Sequence, residues 1–576
     1  MMGIFTVITG LMNISQSSDI TDKAATVANK VYTIYDKTSI IWYSDEDHID
    51  RFLHQFKGST MTIAADNLLY LNDTHFHKKN IYNQTVIFAN SPNEFDFIIK
   101  NINNNRTLPI YVILVIANEY EKNLIEFTEI AWNNDVSDII IISKDADNNI
   151  IFSTYMPYSN GVCGNYSPIY LRSESKLYFM SKYKNFHKCP IRVTLLDFSP
   201  YLKLKFVNET VTEVAGIDGN LLKLLIEILN ATMDIVACTD RGGFGGANSG
   251  PKAGSFNDLL NHKADIMAPA VVMASKRYEV AQISYAPDSI NIVWCMPNQK
   301  EIHEWAKIVL PFFNISTPLI GAAFLIMFAT IKFIKKYALL KDESKNDITF
   351  RMFKIFLGQE TKFLSRYWLV NSLYASWIWL CIIVRISYQD DLIGGLQKTI
   401  VEPKITTLNE AMAVVDQVGG MSIFRDFYDN STLHKKYVTV RLRNLRKKLN
   451  EISNGDSFLF AVDKLQVQYH RQNVQILDER VLTTPTCIHM RPRWPAASEI
   501  SELIARVVET GLYRKIRRNE RTEWNLMYGN LTETRKFKPI GLKTVNSCFY
   551  SLMFMYVVST IVLLVEIYWS NRITKN

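Results

Sequence analysis

Three runs of apolar residues are too long and too free of charge to fit an ordinary soluble domain. Ile308 to Ile331 carries no charge over 24 residues, Tyr367 to Val384 none over 18, and Thr544 to Val565 none over 22. A helix rises about 1.5 Å per residue, so runs of this length match a hydrocarbon core roughly 30 Å thick. Three membrane spans are therefore expected, at 307–334, 366–396 and 544–569. Pro311 and Pro318 predict a bent approach to the first. Lys332, Lys335, Lys336, Lys341 and Lys345 follow the first run, and Arg572 and Lys575 lie in the tail 570–576 after the last. Short basic flanks face the cytoplasm, so the first and last spans run outside to inside and the middle one returns. A multi-pass chain with an extracellular amino terminus follows.

The Asn-X-Ser/Thr triplets fit that topology. Asn72, Asn83, Asn105, Asn165, Asn208 and Asn230 precede the first run, Asn430 and Asn530 lie between the second and third, and none falls between Lys332 and Lys398. This is the distribution of a glycosylated outer face interrupted by membrane and cytoplasm. Asn13 and Asn314 also match, the second too close to the bilayer to serve as an acceptor. The apolar start, Met1 to Met12, has no basic residue to open a signal peptide.

At 576 residues, 48% hydrophobic and 12% aromatic, the chain is too apolar for a disordered tail and too aromatic for a collagen-like fibre. Its net charge of +8 gathers in Lys332 to Arg366, Lys435 to Lys448 and Arg514 to Arg521. The first cluster abuts an apolar run, which membrane topology explains without nucleic acid. The second reads as a solvated face. None of the seven cysteines forms a CxxC and no histidine cluster has zinc spacing, so no metal or cofactor is expected. Cys163, Cys189, Cys238, Cys295 and Cys487 lie outside the apolar runs, where an oxidising compartment lets some of them pair. The pairing stays open. No nucleophile, paired-acid or phosphate-cradling motif is present, and the glycine-rich run Arg241 to Gly254 lacks the Gly-Lys-Ser/Thr of a P-loop and reads as a flexible loop. No catalytic residue is expected.

The remaining sequence alternates strand-like and helix-like stretches. In the amino-terminal unit, 1–185, the strand candidates are Ile40 to Tyr43, Thr85 to Phe88, Ile110 to Ile116 and Asp138 to Ile142. They are separated by amphipathic stretches at Asp47 to Phe56 and Asn118 to Trp132, a pattern that predicts a parallel sheet. A second α/β unit, 186–306, holds the strand Ile191 to Leu196, the helix Leu221 to Asn230 and the strand Ala264 to Pro269. A third, 397–543, opens with the capping box Thr407-Leu-Asn-Glu410 and includes the amphipathic helix Ala497 to Gly511. Two α/β halves on one membrane face, either side of an apolar insertion, suggest a two-lobed clamshell. Within the insertion, 347–364 is amphipathic and too charged to span. It fits either a cytoplasmic surface helix or a re-entrant loop.

Several local patterns carry a family likeness. Ile191-Arg-Val-Thr-Leu-Leu precedes Gly216-Ile-Asp-Gly-Asn-Leu-Leu, and Ala264-Asp-Ile-Met-Ala-Pro precedes Arg277-Tyr-Glu-Val-Ala-Gln-Ile-Ser284. Ser387-Tyr388 is followed by Leu392 and Leu396 at the end of the middle span. In this order of parts, over roughly residues 189 to 569, the chain resembles the ionotropic glutamate receptor superfamily, and more closely its divergent insect branch, the chemosensory ionotropic receptors. The resemblance implies a short amino-terminal α/β domain, a periplasmic-binding-protein-like clamshell, and a channel domain of three spans and a re-entrant pore loop. It places Gly358 and Gln359 at the loop tip and Ser387, Tyr388 and Leu392 in the gate, where Gln389, Asp390 and Asp391 depart from the family's small residues. It gives Arg277 the ligand's carboxylate, Asp463 its amine, and Ser422 a helix-end contact to an anion. Val271, Val272 and Met273 replace the family's small hydroxyl partners, which argues against an amino-acid ligand.

The implied function is a chemosensory ligand-gated cation channel subunit, tuned to a small molecule and assembled with co-receptor subunits as a hetero-tetramer. Its implied place is the plasma membrane and its lipid, in a sensory-neuron dendrite, with no nucleic-acid partner. Ligand, co-receptor and the choice between taste and smell stay open. A non-conducting cell-surface binding subunit is the alternative; a transporter would need more spans and paired repeats.

Overall fold

Isoleucine and valine runs make the amino-terminal strands. β1 (Thr38–Trp42), β2 (Thr60–Ala64), β3 (Gln84–Phe88), β4 (Tyr111–Tyr120) and β5 (Asp138–Lys144) form a parallel sheet in the order β2-β1-β3-β4-β5. β6 (Ile150–Tyr155) and β9 (Pro168–Leu171) extend it antiparallel, while β7 (Tyr158–Ser159) and β8 (Val162–Cys163) pair as a small hairpin. Both faces are covered, which is why the strands read as continuous apolar runs. Successive residues pack to opposite sides. Ile41, Ile87, Ile139 and Ile141 join the helices Pro92–Asn103 and Leu124–Asn133, whereas Ile40, Val86, Ile140 and Ile142 join the helix at 20–31 and the helix Glu46–Gln55. The helix expected from Asn118 starts only at Leu124, because β4 runs on through Tyr120, in register with Lys144. These are features of the computed structural model. It describes residues 20–43, 46–68, 81–103, 108–120, 124–159, 161–171, 179, 181–208, 210–236, 243–245, 254–300, 316–337, 348–361, 368–397, 402–425, 432–470, 473–528 and 542–573.

The second sheet joins two parallel half-sheets. One holds β13 (Thr232–Val236), β10 (Pro190–Leu195) and β14 (Ile266–Val272); the other holds β19 (Phe458–Asp463), β17 (Gln417–Gly420) and β18 (Tyr437–Thr439). Between them run the long antiparallel strands β16 (Asp288–Pro297) and β20 (Val474–Met490), paired from Asp288 opposite Thr486 to Pro297 opposite Val474. The full order is β13-β10-β14-β20-β16-β19-β17-β18, with β15 (Gln282–Ile283) also on β20. β11 (Lys203–Val207) and β12 (Thr210–Ala215) form a separate hairpin. The core of the first half gathers Leu221, Leu222 and Leu225 of the helix Ile217–Ile228 with Ile500 and Ile504 of Ala497–Glu509. The helix Leu408–Val414 begins at the expected cap: the Thr407 hydroxyl accepts from the Glu410 amide.

The chain divides into two units, Met1–Pro297 with Thr406–Gly529, and Asn298–Ile405 with Asn530–Asn576. The first part of the second unit, Asn298–Ile405, is thus inserted in sequence between β16 and β17, and its second part, Asn530–Asn576, follows the first unit. The second unit contains the helices Ser316–Tyr337, Ile348–Phe356, Trp368–Gln397 and Leu542–Ile573. Two of them, over Trp368–Gly394 and Phe549–Trp569, are long and apolar enough to cross a membrane. The first expected span holds the helix Ser316–Tyr337, with Pro318 in its first turn and a shorter apolar stretch over Pro318–Ile334; residues 301–315, including Pro311, lie outside the described residues. Most of the segments 298–315, 398–405 and 529–541 that connect the units also lie outside them.

Candidate ligand site and loop tip

Gly216 sets up one end of the candidate ligand site. Its φ is +92°, and a Cβ there would come within 2.6 Å of the Tyr201 carbonyl oxygen, so only glycine lets the two backbones meet. The amides of Ile217 and Asp218 then donate to the carbonyls of Pro200 and Tyr201, and the buried Asp218 carboxylate accepts from the Ala270 amide at 3.0 Å. With its backbone held, Tyr201 donates its hydroxyl to Asp463 at 2.7 Å.

Asp463 ends β19 and caps the helix Lys464–Tyr469, accepting from the Leu465 amide. The sequence left open an exposed acid at a helix start. The helix start is right and the exposure is not: the residue is only 5% accessible. Burial raises its pKa to about 6 against the opposing Tyr201 hydrogen bond.

Arg277 lies in the short helix Ser275–Tyr278 after β14 and is 9% accessible, not a surface charge. It donates to the carbonyls of Val272 and Gly245, each at 3.3 Å, and lies over the Phe256 ring. No carboxylate among the described residues pairs with it, and burial lowers its pKa to about 10. His489 of β20 stands beside it, edge-on to Phe256. Burial, reinforced by the Arg277 charge, pushes the imidazole pKa down to about 3. Its Nδ1 contacts the Cys487 carbonyl at 3.2 Å, and its Nε2 has no partner among the described residues. Ser284 is not a partner of Arg277: its hydroxyl accepts from the Ile488 amide and donates to the Tyr285 carbonyl.

An aromatic bridge connects the two ends. Phe244, next to the Gly245 that meets Arg277, packs edge-on against Phe198 at 5.7 Å, and Phe198 stacks on Tyr201 at 5.7 Å. Of the glycine-rich run, Gly243 and Phe244 are held, their carbonyls accepting from the amides of Ser255 and Phe256, while residues 241–242 and 246–253 lie outside the described residues. A relay of contacts through Gly245, Phe244, Phe198 and Tyr201 thus links Arg277 to Asp463. Ser422 is not part of it. It is exposed in the four-residue helix Ser422–Arg425, too short for a helix-end anion site, and Gly419 and Gly420 belong to β17. Those glycines are small because Val438, Tyr437 and Ala461 crowd them. The residues from Lys435 to Lys448 are mostly exposed, as expected of a solvated face.

A contrasting cluster lies nearby in the same unit. Arg491, just after β20, donates to Asp135 at 2.7 Å and to Asp265 at 2.8 Å, while Asp265 also binds the Arg192 side chain and amide. Burial alone would raise the Asp265 pKa; the Arg192 hydrogen bonds and the Arg491 charge outweigh it and leave it lowered. Arg493 donates to the Asn103 carbonyl at 2.7 Å, and Cys163 forms a disulfide with Cys189. Cys295, Cys381 and Cys487 are buried thiols, and Cys238 lies outside the described residues.

In the other unit, Met352 and Ile355 of the helix Ile348–Phe356 pack with Trp377 and Cys381 of Trp368–Gln397, and the Trp377 indole donates to the Met352 carbonyl. Further along both helices Gly358, with φ +80°, lies against the Arg385 guanidinium. Met352 beside Trp377 and Gly358 beside Arg385 mean that the two helices run parallel. Gln359, next to Gly358, is exposed, and Ser387, Tyr388 and Leu392 follow Arg385 on the long helix.

Of the candidate glycan acceptors, Asn83 and Asn208 are exposed, while the amides of Asn165 and Asn230 donate to Ser159 and Asn185. Asn72, Asn105, Asn430 and Asn530 lie outside the described residues. Among the described residues no group of metal-ligating side chains gathers. Tyr201, Phe198, Phe244 and His489 were missed from sequence, whose only trace was the Ser199-Pro200 turn beside two of them. Compared with known proteins, the chain matches no family model and no curated protein.

Proposed function

We propose that the chain is a ligand-tuning subunit of a chemosensory ligand-gated cation channel, acting through binding and gating rather than catalysis. The interruption of the α/β domain between β16 and β17 by the helices of Asn298–Ile405, with a further apolar helix, Leu542–Ile573, after the domain, carries this reading. It leaves a split α/β domain whose halves share strands β16 and β20, with the inserted segment following β16 and leading into β17. A small molecule held between Arg277 and Asp463 favours a closed clamshell by its differential affinity for that state. Closure then draws on the segments that continue into the long helix, parting Ser387, Tyr388 and Leu392. The parallel run of Ile348–Phe356 beside Trp368–Gln397 favours a re-entrant loop over a helix lying flat on the membrane.

In this reading the chain has three spans, sits multi-pass in the plasma membrane of a sensory dendrite with its amino terminus outside, and joins co-receptor subunits in a hetero-tetramer. The test is co-expression of the full chain with co-receptor subunits and recording of membrane current under a panel of small molecules. A cation current that requires this chain is expected; surface delivery with no current under any stimulus overturns the reading.

A further inference from the structure

His489 of β20 is fully buried beside Arg277, and its ring is only half satisfied. A backbone carbonyl can only accept, so the contact of Nδ1 with the Cys487 carbonyl at 3.2 Å puts the ring proton on Nδ1. Burial and the Arg277 charge keep the imidazole from taking a second proton, its pKa lying at about 3. Nε2 is therefore a bare acceptor, and it has no partner among the described residues. A buried acceptor left unpaired gives up its hydration for nothing in return. Arg277 is short in the complementary sense: its guanidinium meets the carbonyls of Val272 and Gly245 but no anion among the described residues. Both side chains pack on the Phe256 ring, Arg277 with Cζ 5.8 Å from its centroid and His489 edge-on at 5.9 Å, which brings both within reach of one small molecule. Phe256, Val271 and Phe244 share an apolar cluster there that suits a short hydrocarbon tail.

Resting on the proposed assignment of Arg277 to the ligand, we infer that His489 is a specificity residue and that the ligand is a small hydroxycarboxylate: its carboxylate faces Arg277 and its hydroxyl donates to His489 Nε2. An ammonium does not serve as that donor, because the Arg277 charge that helps to keep the imidazole neutral repels a cation in the same place. An acid without the hydroxyl satisfies Arg277 but leaves Nε2 unpaired, and binds less well for that reason.

The test is calorimetry on the full-length chain assembled with its co-receptor subunits, titrated with 2-hydroxybutyrate and with butyrate, which differ by one hydroxyl. The wild type is expected to bind the hydroxy acid about tenfold more tightly or better. His489→Phe keeps a ring without an acceptor and brings the two acids within about twofold of each other, as does His489→Leu measured beside it. His489→Gln, which places an amide oxygen near the position of Nε2, retains the preference. Co-receptor sites are common to every variant, so a change in the ratio reports this chain. Equal affinity of the wild type for the two acids overturns the inference and spares Arg277. A preference that survives both His489→Phe and His489→Leu overturns it as well. Binding of neither acid by the wild type overturns the assignment of Arg277 to the ligand and this inference with it.

Discussion

Arg277 and Arg491 are buried in the same unit, close to opposite ends of β14, yet their surroundings differ. Arg491 has two carboxylates, Asp135 and Asp265, and its charge is held. Arg277 has only carbonyls and an aromatic face, and its charge is disfavoured. A buried cation with its anions built in joins parts of a structure together. A buried cation without one is costly unless an anion arrives from outside. Arg491 links the amino-terminal sheet to the split domain, whereas the proposed function gives Arg277 to the ligand.

Removing one partner of a buried charge cluster has the largest expected effect. Arg491→Met leaves Asp135 and Asp265 short of a counter-charge and lowers the stability of the first unit by about 3–5 kcal/mol, read by thermal or denaturant unfolding. A loss under about 1 kcal/mol would erase the distinction between the two arginines. Next, replacing both Cys163 and Cys189 by serine opens a 26-residue separation and costs about 2–4 kcal/mol, with looser exchange protection in β8 and β10.

The pH response separates the regions further. The Asp218 pKa is raised to about 7 by burial, so the folded state binds its proton more tightly than the unfolded chain does. Its contribution is full below the ordinary value of 3.8 and is lost as pH rises towards 7. Asp463, at about 6, behaves the same way. Asp265 has the opposite sign: its lowered pKa contributes stability above the ordinary value that is lost as pH falls through the folded value. Hydrogen exchange should therefore loosen around Asp218 and Asp463 between pH 4 and 7 and around Arg491 in stronger acid, and Asp218→Asn should flatten the first trend. The smallest stability effect is expected at Arg277: Arg277→Met changes unfolding by about 1 kcal/mol or less, since a desolvated charge is removed along with two hydrogen bonds. Its binding of anionic ligands should nevertheless fall at least about tenfold, read by calorimetry with small carboxylates.

What the sequence made legible follows a physical boundary. Ile139 to Ile142, Val86 and Ile87 announced their strands because burial on both faces demands a continuous apolar run. Thr407 and Glu410 announced a helix start because capping is local. Arg277 and Asp463 were found through the family resemblance, but their burial was not legible, since it depends on Phe244, Phe198 and Tyr201 arriving from distant segments. The partners of Arg491, at positions 135 and 265, and the pairing of Cys163 with Cys189 are equally non-local. Ser422 failed for a related reason: two glycines before a short apolar stretch resemble an anion cradle, but here they relieve crowding inside β17.

The central claim is that the tip after Ile348–Phe356 lines an ion path opened by ligand. Gly358 cannot carry a probe without displacing Arg385, but the exposed Gln359 can. The decisive measurement is voltage clamp of the full-length Gln359→Cys chain with its co-receptor subunits, before and after a charged thiol reagent. Stimulus-evoked current that falls on modification, while the wild-type current does not, is the predicted result; evoked current that persists unchanged once the introduced thiol is shown to be modified would contradict it.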